Sequence, residues 1–536
     1  MRLAVLISSI SAFGFLCAIS ACSSDSNAVV GAKANANGED PGTERTPSDG
    51  AGGSTGKDGG KGPTSGDDDP GTNGLGSVTL RNGTTQLLGV TTGSTPMAVY
   101  LFSGAQSLSL EAVPVGGGSP TVIAMDLTGE EDYGISGGAV WWYTAINASG
   151  IGTVNFWTKA NGAKTAVASG SIDGFFWASE DGSRVAFSVA GSAKTTNVAV
   201  TGSDAPSATA VLQGNYSLDF PTSECFPDVG FVGTTLFAAF CSVQTVGSPN
   251  STAARIVSVD GAGAVRRLDA ANNANNTIAL SATKPLWYAN TTGTKVFVIG
   301  AGAGQGRILD VATAPATGAV TALETGVVDG YLLDDGTAIY ATGTAVKRGN
   351  GTGPAKTLTT TIVKSFLTRT PTGDRLIFRS LDPAGNNGLV DLRTITTSSE
   401  NQSTQDLVST ASVTLSGLDG NGTHVFYVSD VVEDANGLLS GVLKALPMTG
   451  GTEIILAKGS PGGVPIPGTN SIIAAGDAAL DTDGNVLVSV AHVNVNTTLS
   501  LPIAKEVIPN AWGFSGKRFI YTRAGSNPGI YAVDIP

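Results

Sequence analysis

The chain has 536 residues, with 43 acidic against 30 basic side chains and a formal net charge of −13. No basic run is present, which argues against nucleic acid as a partner. Glycine supplies 73 residues, about twice the usual share, and long amphipathic helical patterns are missing, which argues against a helical fold.

The chain opens with Arg2 and an apolar stretch from Leu3 to Ile19, followed by Ser20-Ala21-Cys22 and Ser23-Ser24-Asp25. A positive residue, an apolar core and small residues at a cut site are the parts of a secretory signal. Ser8, Ser9 and Ser11 dilute the apolar run and weigh against an uncleaved membrane span. The run Ile19-Ser20-Ala21-Cys22 resembles the lipobox of bacterial lipoproteins, whose cysteine is lipid-modified and becomes the new N-terminus. The resemblance implies a lipoprotein signal peptide at 1–21 and lipid attachment at Cys22. It also implies a place in the bacterial cell envelope, held to the membrane through the lipid anchor. One acyl chain binds membranes weakly; the family attaches three. Ser23, rather than an aspartate after the cysteine, leans toward the outer membrane.

Residues 22–76 form the next unit, the lipidated cysteine and a tether rich in Gly, Ser, Asp and Pro. The tether carries nine carboxylates against four cations and almost no large apolar residues. It cannot bury enough surface to offset its ordering entropy, and it is expected to be a disordered, solvated linker. Gly52-Gly53-Ser54-Thr55-Gly56 spells the serine-hydrolase string, but nothing around it could form the strained strand-to-helix turn that the motif needs. Asp67-Asp68-Asp69 lacks the alternating oxygen ligands of a calcium loop.

From residue 77 to 536, short runs of Val, Ile, Phe, Tyr, Leu and Thr alternate with Gly, Asn, Asp and Ser clusters, which predicts many short strands joined by tight turns. The runs repeat. One half of the repeat is Phe175-Phe176-Trp177-Ala178-Ser179-Glu180-Asp181-Gly182-Ser183-Arg184-Val185-Ala186-Phe187, with copies at Leu332–Tyr340 and Phe366–Phe378. The other half is Leu110–Gly118, copied at Leu443–Gly451 and at Ile530–Pro536. These copies resemble the TolB-type β-propeller repeat, in which a Ser-Pro-Asp-Gly-like turn precedes an Ile-Ala-Phe-like strand; Glu180 stands where the family has proline. The resemblance implies an all-β fold, a single large β-propeller of four-stranded blades. Turn centres near 94, 137, 182, 233, 293, 336, 373, 421, 484 and 516 lie about 47 residues apart on average, the length of one blade. Ordinary propellers have four to eight blades. Eight is the favoured count within a range of seven to ten, and two smaller propellers are the alternative. The last repeat stops after a third strand, so residues 77–81 are expected to supply the missing outer strand.

Past Cys22 only Cys225 and Cys241 remain, and they flank a hairpin pattern centred on Gly233. They are expected to face each other as a disulfide, adding about 3 kcal/mol in the chain-entropy model; the alternative is two buried, inert thiols.

Residues with chemical potential are sparse. His424 follows a turn and His492 sits on an alternating strand, neither with a second ligand at metal spacing. Asp477, Asp481 and Asp483 could be read as a calcium cluster, but Asp483-Gly484 reads better as a blade turn. The run Gly300–Gly306 does not fit a nucleotide fingerprint and reads as a loop. Trp141 and Tyr143 should share one strand face and Trp142 the other, filling space between blades. No catalytic residue, cofactor or metal site is assigned, and a monomer is expected. The leading functional expectation is a binding module for an envelope protein or glycan. The alternative is a propeller hydrolase or lyase with its site at the mouth of the central channel. The polar loops Ala190–Thr195, Val243–Ala253 and Asp430–Leu439 are candidates for the binding face.

Overall fold

The computed structural model describes Leu75 to Pro536 except residues 105–106, 129–131, 148–150, 166–170, 173–175, 191–194, 205–209, 218–227, 240–255, 269–286, 300–303, 314–319, 361–362, 371–372, 382–388, 401–404, 409–413, 483 and 526. The signal segment, Cys22, the tether up to residue 74, Cys225 and Cys241 lie outside the described residues.

The first sheet comprises Thr85–Val90, Met97–Ser103, Leu108–Pro114 and Thr121–Leu127, hydrogen-bonded in chain order. Seven further sheets repeat this antiparallel meander in succession, ending at Ser460. In the second, Gly162–Thr165 and Ser171–Ile172 share the outer position, both paired with Ile151–Thr158. The final sheet has seven strands and contains two meanders. Its long strand Ser500–Ser515 belongs to both: Ser500 to Val507 pair with Val486–Asn494, and Val507 to Ser515 pair with Arg518–Arg523. The register breaks between Val507 and Trp512, where Pro509 has no N–H to give a ladder.

Second strands lie mid-sheet with a neighbouring sheet against each face, so they read as continuous apolar runs rather than alternating ones. Met97–Leu101, Ala338–Ala341 and Val425–Val428 are buried without interruption. A recurring aromatic on this strand (Tyr100, Tyr143, Phe187, Phe237, Phe297, Tyr340, Tyr427 and Tyr521) supplies most of the largest fully buried side chains. Trp141 and Tyr143 pack between the second and third sheets, and Trp142 packs between the first and second, as the strand alternation predicts.

Ten apolar clusters occupy the spaces between successive sheets, counting the last sheet as two. One of them closes the circle by packing Ala511, Ile520, Ile530 and Ala532 against Leu87, Ala98, Tyr100 and Val113. The chain is therefore an all-β propeller with ten blade positions in one ring, at the top of the expected range rather than at the favoured eight. The weak repeats, such as that around Gly293, are complete blades and not insertions. Val78–Asn82 is the outer strand of the last blade, antiparallel to Gly529–Asp534 with Val78 opposite Ala532 and Asn82 opposite Gly529.

One turn is reassigned. Gly484 lies between Ser471–Leu480 and Val486–Asn494, the second and third strands of the ninth blade. The inner turn of that blade is at Gly468, whose φ is +68°. The preceding strand, Gly462–Pro465, is short and rich in Gly and Pro, so its signal is weak in sequence.

Two devices recur at the inner turns. A buried polar residue at the turn's start caps an early N–H of the second strand: Ser179 Oγ accepts from Arg184 N at 3.0 Å, Asn290 Oδ1 from Lys295 N at 3.0 Å, Thr370 Oγ1 from Arg375 N at 3.1 Å and Asp419 Oδ1 from His424 N at 3.1 Å. Beyond the turn, an arginine reaches the next blade at the carbonyl that follows its third strand. Arg184 donates to Asp260 O, Arg375 to Met448 O at 3.5 Å and Arg518 to Val115 O at 2.9 Å.

Candidate binding face

In this meander, the loops after second and outer strands emerge on one face of the ring. The eighth blade carries a long hairpin there. Its second and third strands, His424–Glu433 and Leu439–Pro447, continue past a register shift between Ser429 and Val432 and pair again at Val432 with Ser440 and Glu433 with Leu439. Asp430 sits at the shift with φ +53°, a left-handed conformation that Asp tolerates better than branched residues. The tip is an Asx turn: Asp434 Oδ1 accepts from Asn436 N at 2.8 Å and Leu438 N at 2.9 Å. Those backbone bonds, from Leu438 first and then Asn436, hold the Asp434 carboxyl below the usual carboxylate value.

The ninth blade builds a matching arm. Ser471–Leu480 and Val486–Asn494 shift register between Gly476 and Ala479 and pair again at Leu480 with Val486. Asp477 has φ +47°, and Asp481 Oδ1 accepts from Asn485 N at 2.8 Å at the tip. Each arm exposes an apolar side chain, Val432 at 62% and Leu480 at 43%. Carboxylates flank them in sequence at Asp430, Glu433, Asp434, Asp477 and Asp481, and neither arm contains a Lys or Arg.

Asp430–Leu439, one of the three loops expected on the binding face, lies at the connection between the second and third strands of the eighth blade. Of the other two, residues 191–194 and the whole of 243–253 lie outside the described residues. The ninth-blade arm went unread because Asp483-Gly484 suggested an inner turn; its likeness to Asp434-Ala435-Asn436-Gly437 was the available signal. Asp477 and Asp481 do not converge: Asp477 accepts from Ser489 Oγ at 2.9 Å while Asp481 caps its own tip, and Asp483 lies outside the described residues. Among the described residues there is no group of three His, Cys, Asp or Glu that could hold a metal.

The two histidines are far apart in role. His424 Nδ1 lies 3.3 Å from Asp419 Oδ2 in the eighth inner turn. His492 is 4% exposed on a third strand, opposite Ile473 and Leu501, and neither ring nitrogen has a hydrogen-bond partner. Burial pushes its imidazole below the ordinary value. Gly304, at the described end of the glycine run, accepts from Val327 N at 2.8 Å and so ties a fifth-blade loop to the next inner strand. Nearby on inner strands, Tyr288 Oη donates to Asp329 Oδ1 at 2.9 Å, and the Tyr288 and Tyr331 rings lie 5.6 Å apart.

No family model matches the chain, and no curated protein matches it. Solved propellers do. The β-propeller domain of the trilobed protease from Pyrococcus furiosus is 10% identical, with 60% of this chain and 98% of that one covered and a TM-score of 0.27. A TolB from Agrobacterium tumefaciens is 12% identical, with 47% and 90% covered and a TM-score of 0.24. An oligogalacturonate lyase from Vibrio parahaemolyticus is 11% identical, with 67% and 88% covered and a TM-score of 0.31. The propeller assignment rests on the chain's own sheet order, interblade clusters and end-to-end strand pairing.

Proposed function

We propose that this chain is a lipid-anchored binding module of the bacterial cell envelope, held to the outer membrane through Cys22 and carried on the tether as a monomer. The twin arms of the eighth and ninth blades take a protein partner. The observation that carries this reading is the pairing of two solvent-exposed apolar side chains, Val432 and Leu480, with carboxylates and no compensating cation. Contacts of that kind suit a partner surface with an apolar anchor ringed by Lys or Arg, where charge guides the approach and the apolar contact holds. We also propose that Cys225 and Cys241 are bridged, in keeping with an oxidising compartment.

Crosslinking in native envelopes, followed by mass spectrometry, tests the reading. The parent should yield a recurrent protein partner, and Val432→Asp with Leu480→Asp should remove it while the ring stays folded, because the two side chains are 62% and 43% exposed and neither belongs to an interblade cluster. Cys22→Ser should move the protein from the membrane fraction to the soluble one. Crosslinks that survive the double substitution exclude the arms, and membrane retention of the serine variant excludes the anchor.

A further inference from the structure

Among the described residues nine large apolar side chains are exposed, and four of them lie on the outer rim of three consecutive blades, the ninth, the tenth and the first. Val122 is 51% and Met125 68% exposed on the first blade's outer strand, and Val78 is 36% exposed on the closing strand. Leu499 is 55% exposed, immediately before the ninth blade's outer stretch begins at Ser500. The closing strand lies between the others. On one side Val122 is opposite Glu111, whose carboxylate Arg81 of the closing strand reaches at 3.3 Å. On the other side Leu75 N donates to Pro502 O at 3.2 Å, and the Leu75 side chain packs on the cluster between the ninth and tenth blades.

Two features mark this rim. Outer strands begin on the face opposite the arms, because the arms emerge on the face where outer strands end. Val78, Val122 and Leu499 all stand at such beginnings. The rim is also uncharged along the chain. Residues 75–80, 112–125 and 493–504 contain no Asp, Glu, Lys or Arg, in a chain whose net charge is −13. An anionic lipid surface repels a negative protein and admits it where it carries no charge. Residues 23–74 separate Cys22 from Leu75, so the chain that carries the proposed lipid joins the ring inside this apolar rim.

We propose that the rim rests on the lipid surface that holds the Cys22 anchor, with Val78, Val122, Met125 and Leu499 in the headgroup layer and the arms directed away from it. This rests on the anchor reading above and adds a reversible contact to the covalent one. So few apolar side chains bind lipid weakly when free. A tether holds them at a local concentration of about 1 mM, so millimolar affinity is enough. The partner of the arms then approaches from the side away from the membrane.

Photocrosslinking of the lipidated full chain in vesicles of phosphatidylethanolamine and phosphatidylglycerol provides the test. A benzophenone amino acid in place of Met125 should form a phospholipid adduct. The same residue in place of Ala435, at the tip of the eighth-blade arm, should not. Val122→Asp with Leu499→Asp should cut the adduct at position 125 about tenfold while the anchor keeps the chain in the vesicle fraction, and the melting temperature checks that the ring stays folded. Retention with no adduct at position 125, or equal adducts at 125 and 435, overturns the rim contact and leaves the anchor reading standing. Crosslinks at position 125 between two copies of the chain overturn lipid as the occupant. A chain that does not stay with the vesicles removes the anchor, and this inference with it.

Discussion

At the scale of single residues, the ring depends on side chains that leave their own sheet. Arg184 is 6% exposed and stands two residues after the turn glycine Gly182. Its guanidinium donates to Thr234 O at 3.1 Å as well as to Asp260 O, both in the fourth blade. Burial lowers its pKa and the Asp260 charge partly restores it, while one guanidinium nitrogen joins two carbonyls of the neighbouring blade. Arg184 and Arg375 are plain in the repeated sequence, but their reach into the next blade is not, because a repeat pattern says what recurs and not what it touches. His492 makes the opposite case, a polar side chain buried with nothing to bond. Its folded pKa is depressed below the ordinary 6.5. The unfolded chain therefore takes up a proton more readily, and folding stability contributed at this position is intact above about pH 6.5 and falls as the pH drops below it. Melting temperatures at pH 7.5 and 5 check this. His492→Leu should narrow the gap between the two pH values. An unchanged gap in His492→Leu would sink the assignment.

At the scale of elements, turns were more legible than strands. Nine of the ten expected turn centres fall at inner hairpins, because glycine with positive φ is a local requirement that sequence displays directly. The tenth failed where a four-residue strand, Gly462–Pro465, gave no β signal and a stronger turn lay sixteen residues beyond Gly468, at Gly484. The turn caps were hidden for another reason: Ser179, Asn290, Thr370 and Asp419 do one job with four side chains, so no single letter repeats. The fourth-blade hairpin is formed, but Asp228 opposite Ala239 and Val232 opposite Thr235 centre its turn between Gly233 and Thr234, half a residue beyond the expected centre on Gly233 that set Cys225 opposite Cys241. The proposed Cys225–Cys241 bridge would staple this hairpin just beyond its paired region, contributing about 3 kcal/mol. A thiol assay on mature protein that is unfolded but not reduced should detect no free cysteine. Two reactive thiols would exclude the bridge, and reduction should lower the urea midpoint if it is present.

For the whole molecule, the central physical fact is that no blade covers its own apolar faces. Each cluster needs residues from two sheets, so a ring of ten is stable only when the tenth meets the first. Three kinds of contact make that junction. Val78–Asn82 adds the outer strand and sends Leu80, 7% exposed, into the closing cluster. Gly83 N donates to Pro528 O at 3.0 Å. Arg518 grips Asp534 through Nε at 2.7 Å and reaches first-blade Val115 O at 2.9 Å. Removing residues 75–82 should therefore do two separate things. It deletes a buried leucine and a full strand ladder, a loss on the scale of a large-to-small core substitution, about 2–5 kcal/mol. It also bares Gly529–Asp534 as an unpaired edge, which invites pairing between molecules. Thermal melts should show the first effect and size-exclusion chromatography the second. Leu80→Ala, which keeps the strand, should lower the melting temperature without creating oligomers. A truncated chain that melts like the parent and runs as a monomer would mean that the terminal strand is an ornament on a ring already closed by side-chain packing alone.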